Sequence, residues 1–198
     1  MLIASLAEPN RHRIYDLTKR AFDIVASMLL LLLSFPLWLA FACAIRVDSR
    51  GPVFFRQTRV GKRGSLFRLY KFRTMRTDAP KFGLHPTDSN DPRITRLGSW
   101  LRRTSLDELP QLINVLKGDM SLVGPRPEMP FIVDTYEARH LERLKVTPGL
   151  TGLWQLSADR RYLIHENIQY DLYYIRHRSF FLDLAILLHT AIFAMKGI

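Results

Sequence analysis

The chain has 198 residues, enough for one domain with a core of its own. Its 29 Lys and Arg against 18 Asp and Glu leave a net charge of +11, which points to a phosphate-rich partner: an anionic membrane face, a nucleotide or a nucleic acid. The single cysteine, Cys43, excludes an intrachain disulfide framework and a cysteine-built metal site.

Residues 24–45, "IVASMLLLLLSFPLWLAFACAI", carry no charge. At about 1.5 Å per residue such a run is long enough to cross the ~30 Å hydrocarbon core of a bilayer. It starts late, and no small-residue cleavage site follows it, so it does not read as a cleaved signal peptide. Pro36 lies near its middle. Proline cannot donate a backbone hydrogen bond and its ring presses on the carbonyl of Leu32, so a kink or break is expected there. Ser34 is placed to satisfy a freed carbonyl. Both flanks are basic: Arg11, Arg13, Lys19 and Arg20 precede the run, and Arg46, Arg50, Arg56, Arg59, Lys62 and Arg63 follow it. The positive-inside tendency wants both ends in the cytoplasm. A helix that enters, bends at Pro36 and returns meets that demand; a tilted span with a proline kink is the alternative. Cys43, inside the run, is expected to be packed or lipid-facing.

Residues 52–75, "PVFFRQTRVGKRGSLFRLYKFRTM", predict a β-hairpin. Residues 53–60 and 65–72 are rich in aromatic and β-branched types, with Gly61 and Gly64 at the turn. Residues 76–95 have loop composition, and 96–103 predict a short helix. In "RRTSLDELPQL", Ser105 with Glu108 fits a capping box. Leu109, Leu112, Ile113 and Leu116 then share one helical face, and Gly118 ends the helix. Pro110 is tolerated only in the first turn, so the helix should start near Asp107 and Glu108. Both carboxylates would then sit at the positive end of a helix dipole, either as a capped helix start or as a catalytic pair.

Arg126 stands between two prolines in "SLVGPRPEMP". The stiff backbone there can aim a guanidinium at phosphate, or can hold an exposed loop arginine. In "KVTPGLTGLWQL", Trp154 either lines a pocket or packs in the core. Residues 165–177 predict a helix. The last stretch, "FFLDLAILLHTAIFAMKGI", is interrupted by Asp183 and His189 and suits an interfacial helix; His189 reads as packed or interfacial.

The charged residues beside aromatic or rigid features are Lys71, Arg73, Arg102, Arg103, Asp107, Glu108 and Arg126. Cations with two carboxylates suit phosphoryl transfer. Arginines neutralise phosphate oxygens, one carboxylate can hold Mg²⁺ with substrate phosphates, and another can attack phosphorus. The chain has no P-loop and no G-x-G-x-x-G, and no His/Glu cluster has zinc-like spacing.

The order "GPVFFRQTRVG", "LYKFRTM", "DPRITRLGSWLRRTSLDELPQLINVLKGDMSLVGPRPE", "TPGLTGLWQ" and "YDLYYIRHRSFFLDLAILLHT" closely resembles the bacterial sugar transferase family. These are the monotopic phosphoglycosyl transferases, or polyprenyl-phosphate sugar-1-phosphate transferases. The resemblance runs from about Lys19 to about residue 195. It implies transfer of a sugar-1-phosphate from a UDP-sugar to a polyprenyl phosphate, undecaprenyl phosphate among them, with release of UMP. This is a first membrane step toward an exopolysaccharide, an O-antigen or another bacterial surface glycoconjugate. By the same resemblance Asp107 is the nucleophile of a ping-pong reaction and Glu108 helps to bind Mg²⁺. Lys71, Arg102 and Arg126 bind phosphates, and Asp183 matches an acidic position of the C-terminal motif, placed here with the substrate-binding residues. A helix N-terminus beside a metal is expected to lower the pKa of Asp107.

The resemblance favours the re-entrant helix, bent at Ser34 and Pro36. Relatives commonly carry an adjacent Ser-Pro pair; here Phe35 intervenes, which turns Ser34 by about 100° around a helix. The expected architecture is α+β and mainly helical. A re-entrant membrane helix broken at Pro36 is followed by a short β-hairpin and by amphipathic interfacial helices around an active site on the cytosolic face. The divisions are an N-terminal segment at 1–18, the re-entrant helix at 19–48 and a catalytic domain at 49–198, a minimal catalytic form. The implied location is the bacterial inner membrane, with the catalytic domain against lipid of the cytoplasmic leaflet. No nucleic-acid partner is expected, and a homodimer is left open. Two rival classes are a catalytically silent membrane-anchored scaffold, which the intact Asp107, Glu108 and Arg126 argue against, and a basic nucleic-acid binder, which the apolar run argues against. The residues do not separate one transferred sugar from another.

Overall fold

The computed structural model describes residues 13–79, 91–162 and 167–196. Helix α1 (Arg13–Asp48) holds the whole apolar run, with Pro36 inside it. It begins ahead of the expected boundary at residue 19, and its helical assignment continues through Pro36, so the predicted break is not seen. A proline removes one i→i−4 bond, and the leucines around it are good helix formers that keep the rest of the ladder. The Ser34 hydroxyl donates to the carbonyl of Leu30 at 2.6 Å and sits 3.4 Å from that of Leu31. Phe35 therefore does not cost the serine its backbone bond, although that bond does not go to the Leu32 carbonyl that faces the proline ring. The two ends of α1 are anchored: Asp23 and Ser27 are buried near one end, Phe41 and Ile45 near the other. Between them Leu29, Leu30, Leu32, Leu33, Phe35 and Leu37 are exposed. Cys43 is exposed as well. An apolar surface of this extent on a folded chain marks a face that is covered by lipid or by a partner. Among the described residues α1 is the one helix long and apolar enough to cross a membrane.

The hairpin forms as read. Strand β1 (Phe54–Val60) pairs antiparallel with β2 (Leu66–Phe72), from Phe54 opposite Phe72 to Val60 opposite Leu66. Alternation along β2 turns Phe67 and Leu69 into the main core, while Phe72, on the opposite face, is buried in a second cluster with Phe41, Ile45 and Leu101. Phe72 meets Phe41, Trp38 and Phe54, and so ties the hairpin to the far end of α1. Arg73, just past β2, is buried and donates to the carbonyls of Ile45 and Ser49 at 3.3 and 2.6 Å. It fastens α1 rather than facing the charged cluster.

Of the predicted 76–95 loop, residues 80–90 lie outside the described residues; Met75 and Ile94 form a β-bridge that closes its base. Helix α2 (Arg96–Arg103) follows, capped by the Thr95 hydroxyl, which accepts from the Gly98 amide at 2.9 Å. Helix α3 (Gln111–Lys117) ends at Gly118 in a left-handed conformation, φ 90°. Asn114 on α3 accepts from the Tyr70 amide at 3.1 Å and donates to the Arg68 carbonyl at 2.7 Å, locking α3 across β2.

A second sheet, not foreseen, pairs β3 (Ser121–Val123) with β4 (Gly149–Thr151) in parallel. The segment between them carries Arg126 and two short helices, α4 (Pro130–Val133) and α5 (Ala138–Leu141). Gly149 is required here: a Cβ on it would lie 2.0 Å from the Gly124 amide nitrogen. The chain ends with α6 (Leu153–Leu156), α7 (Gln169–His177) and α8 (Phe180–Lys196). The main core gathers Leu112, Val115, Met120, Leu122, Tyr174 and Ile186 between β2, α3, β3, α7 and α8.

Candidate active site

Asp107 and Glu108 do not open α3. They lie on a 3₁₀ turn, Leu106–Glu108, ahead of it. Ser105 has φ 56° and its side chain makes no capping bond, so the predicted capping box is absent. The left-handed Ser105 turns its hydroxyl away from the amides it was expected to cap, and Pro110, with its fixed φ, becomes the residue before α3. The turn is held by bonds from the Glu108 amide to the Ser105 carbonyl and from the Leu109 amide to the Leu106 carbonyl, at 3.1 and 3.3 Å.

Three elements converge on this turn. Lys71, at the end of β2, donates to Oε1 of Glu108 at 2.6 Å. Arg126, from the loop after β3, donates to the same oxygen at 3.0 Å. Both cations share Oε1, and Oε2 of Glu108 has no hydrogen-bond partner among the described residues. Asp107 is 7% exposed and has no hydrogen-bond partner among the described residues. Arg102, on α2, donates through Nε to the Thr74 hydroxyl at 3.1 Å, and its charge acts on Asp107. The structure therefore gathers Lys71, Arg102, Asp107, Glu108 and Arg126 in one place, while Arg73 and Asp183 are held elsewhere.

The two carboxylates are driven in opposite directions. Burial pushes Asp107 up to about 6, with Lys71 pulling against it and the Glu108 charge adding to it. The lowering expected of a helix end was tied to a metal beside it; in the protein alone burial is the largest influence on Asp107, which sits a 3₁₀ turn ahead of α3. Burial would raise Glu108 too, but Lys71 and then Arg126 outweigh it and hold this carboxyl well below the usual range. Glu108 in turn raises the pKa of Arg126. Neighbouring carboxyls pushed apart in this way are a common mark of a chemical site.

Asp183 belongs to another cluster. Its Oδ2 accepts from Lys19 at 2.7 Å and from the Tyr15 hydroxyl at 2.8 Å, and its Oδ1 accepts from Tyr174 at 2.9 Å. Both oxygens are committed to tying α8 to α1 and α7.

A sequence profile described as bacterial sugar transferase matches residues 14–197. The chain belongs to that family. It is 45% identical over 190 residues to an undecaprenyl-phosphate glucose phosphotransferase of Komagataeibacter xylinus, covering 88% of this chain and 35% of the relative. It is 44% identical over 190 residues to the exopolysaccharide production protein PSS of Rhizobium leguminosarum bv. phaseoli, with 88% of this chain and 93% of the relative covered. A UDP-N-acetylgalactosamine-undecaprenyl-phosphate N-acetylgalactosaminephosphotransferase of Aeromonas hydrophila is 41% identical over 186 residues, spanning 89% of this chain and 43% of that protein. The chain thus spans well under half the length of two of these relatives and nearly all of the third. The names of the relatives carry undecaprenyl phosphate and exopolysaccharide production, and they differ in the sugar.

Sequence reading found the pair and its three cations, because each stands in a distinctive local motif. It missed Arg59 and Arg143, two buried arginines behind the Arg126 loop. Arg143 carried no local signal. Arg59 stood among the basic residues that follow the apolar run, which hid its inward position at the end of β1.

Proposed function

We propose that the chain transfers a sugar-1-phosphate from a UDP-sugar to a polyprenyl phosphate, with undecaprenyl phosphate as the acceptor its relatives' names suggest. The observation that carries this reading is the buried, unbonded carboxylate of Asp107 beside Glu108, whose one oxygen holds Lys71 and Arg126. A nucleophile needs free lone pairs, and a diphosphate needs cations around it.

In this reading an Oδ of Asp107 attacks the sugar-proximal phosphorus, and the bond from that phosphorus to the bridging oxygen breaks. UMP leaves with that oxygen and its electron pair. Lys71, Arg102 and Arg126 offset the charge that develops on the phosphate oxygens. A phosphate oxygen of the polyprenyl acceptor then attacks the phosphorus of the Asp107 adduct, the bond to Asp107 breaks, and the carboxylate is restored. The donor set fits Mg²⁺, which takes one or two carboxylates together with substrate phosphates, and Oε2 of Glu108 is the oxygen left for it. When bound, the ion supplies charge neutralisation at the diphosphate. The cations next to Asp107 draw its elevated pKa down, and bound metal would act in the same sense.

The membrane reading rests on α1. Both of its flanks pack on the same body: Arg20 donates to the Leu116 carbonyl at 2.8 Å near one end, and Arg73 holds Ile45 and Ser49 near the other. With both ends held on that body, the exposed apolar middle is read as dipping into the cytoplasmic leaflet of the bacterial inner membrane without crossing it. Exposed Phe181 and Leu188 of α8 rest at the same interface.

The test is intact mass of the detergent-solubilised protein after mixing with Mg²⁺ and a panel of UDP-sugars, without acceptor. An adduct of one sugar phosphate, absent in Asp107→Asn, is expected. UMP release that needs the acceptor and proceeds in Asp107→Asn would exclude the covalent step.

A further inference from the structure

The loop that presents Arg126 has no regular structure, yet each carbonyl in the stretch 125–128 is held. The Pro125 carbonyl accepts from the Gly149 amide at 2.8 Å and the Glu128 carbonyl from the Val60 amide at 2.9 Å. The two carbonyls between them accept from side chains. That of Arg126 takes Nη2 of Arg143 at 2.7 Å, and that of Pro127 takes Nη1 of Arg59 at 3.1 Å. Pro125 and Pro127 have no amide hydrogen to offer and a fixed φ. The backbone on both sides of Arg126 is thus pinned at every acceptor, and two of the four pins are guanidinium groups.

Both arginines are 4% exposed, and burying such groups is costly unless they are paired. Arg143 is paired: its Nε donates to Oδ2 of Asp171 on α7 at 2.7 Å, and its Nη1 bonds the Tyr136 hydroxyl. Arg59 donates to the Gln57 side chain at 2.7 Å and lies 3.8 Å from the Glu128 carboxylate. Neither reaches Glu108 or Asp107. An arginine can serve here because its planar fork offers several donors in fixed directions; a lysine ammonium cannot satisfy Asp171, Tyr136 and a backbone carbonyl together.

We propose that Arg143, braced by Asp171, and Arg59 are positioning residues. They fix the Pro125–Arg126–Pro127 backbone so that the Arg126 guanidinium meets Glu108 at the site of transfer. This rests on the reading of Asp107 and Glu108 as the transfer centre. The clamp also gives α7, remote from the site in the chain, a route to it through Asp171 and Arg143.

The test is a double-mutant cycle of Arg143→Lys with Arg126→Ala, read as UMP release with undecaprenyl phosphate and the UDP-sugar that the native protein turns over. It is paired with a crystal structure of Arg143→Lys. Lysine keeps the charge opposite Asp171, so the variant is expected to unfold cooperatively near the native temperature. Its kcat/KM should fall at least tenfold, and Arg143→Lys should cost nothing further once Arg126 is alanine. In its structure the Arg126 guanidinium should no longer be within hydrogen-bond distance of Glu108. If Arg143→Lys fails to fold, Arg143→Met with Asp171→Leu, which removes both charges together, enters the same cycle. The inference is overturned if a folded variant keeps kcat/KM within twofold, or if its loss multiplies with that of Arg126→Ala. A native protein that turns over no donor would count against the proposed reaction instead. The clamp would then be judged on the structure alone: an Arg126 still bonded to Glu108 in Arg143→Lys would overturn it.

Discussion

Lys71 and Glu108 are 37 residues apart in the chain and 2.6 Å apart in space. The contact joins the end of the hairpin to the turn before α3, and of the cations whose charge acts on Asp107, the neighbour of Glu108, Lys71 is the strongest, ahead of Arg102 and Arg126. Lys71 therefore sets the charge state of the pair. Lys71→Met is expected to lower transfer on the order of 10²-fold, as loss of a preorganised charge at a transferring phosphate does. Steady-state UMP release measures it, and the fold should survive because Arg126 still pairs with Glu108.

Asp107 makes stability depend on pH. Its folded value of about 6 stands above its ordinary 3.8. Between those values the folded chain keeps a proton that the unfolded chain has lost, so stability from this group falls as pH rises through about 4 to about 6. Without divalent cations, Asp107→Asn should then be more stable than the native protein above pH 6, by about 1–3 kcal/mol, with no gain below pH 4. Thermal unfolding in detergent at pH 4 and pH 7.5 checks this. Asp107→Asn should at the same time form no phosphosugar adduct.

Asp183 tests the separation of the two clusters. Asp183→Ala leaves half-buried Lys19 without its carboxylate and removes the acceptor that the Tyr15 and Tyr174 hydroxyls share. A stability loss of about 3 kcal/mol is expected. Activity per folded molecule should be largely kept. A drop as deep as that of Asp107→Asn, in protein that unfolds normally, would return Asp183 to the chemistry.

Gly149→Ala probes the second sheet. The added methyl would meet the Gly124 amide nitrogen at 2.0 Å, so β3 and β4 must separate. The Gly149 amide also holds Pro125. A cost of about 1–3 kcal/mol is expected, together with loss of transfer, because the displaced backbone carries Arg126.

The topology of α1 is open to labelling. In a Cys43→Ala background, cysteines at positions 19 and 50 should both react from the cytoplasmic side. Reaction from opposite sides would make α1 a span.

Much of this protein is legible in one dimension. The hairpin shows in its aromatic alternation and its two glycines, the end of α3 in Gly118, and α1 in an uncharged run. Asp107, Glu108, Lys71, Arg102 and Arg126 each stand in a motif dense enough to be found. These features depend on neighbours a few residues away, where backbone propensity and side-chain periodicity act. The start of α3 was misread because a capping box and a left-handed serine have the same letters. Choosing between them depends on what packs behind the turn.

Tertiary structure decided the rest. It placed Arg73 under α1, gave Asp183 to Lys19 and Tyr174, and let Lys71 and Arg126 share one oxygen of Glu108. It paired β3 with β4 across a long crossover and set Arg143 against both Asp171 and the Arg126 carbonyl. Such contacts join residues far apart in the chain, and their energy comes from desolvation and charge pairing that exist only once the core has closed. Composition and motif named the chemistry; Lys71 and Arg126 keep Glu108 ionised, and burial leaves Asp107 with a raised pKa of about 6.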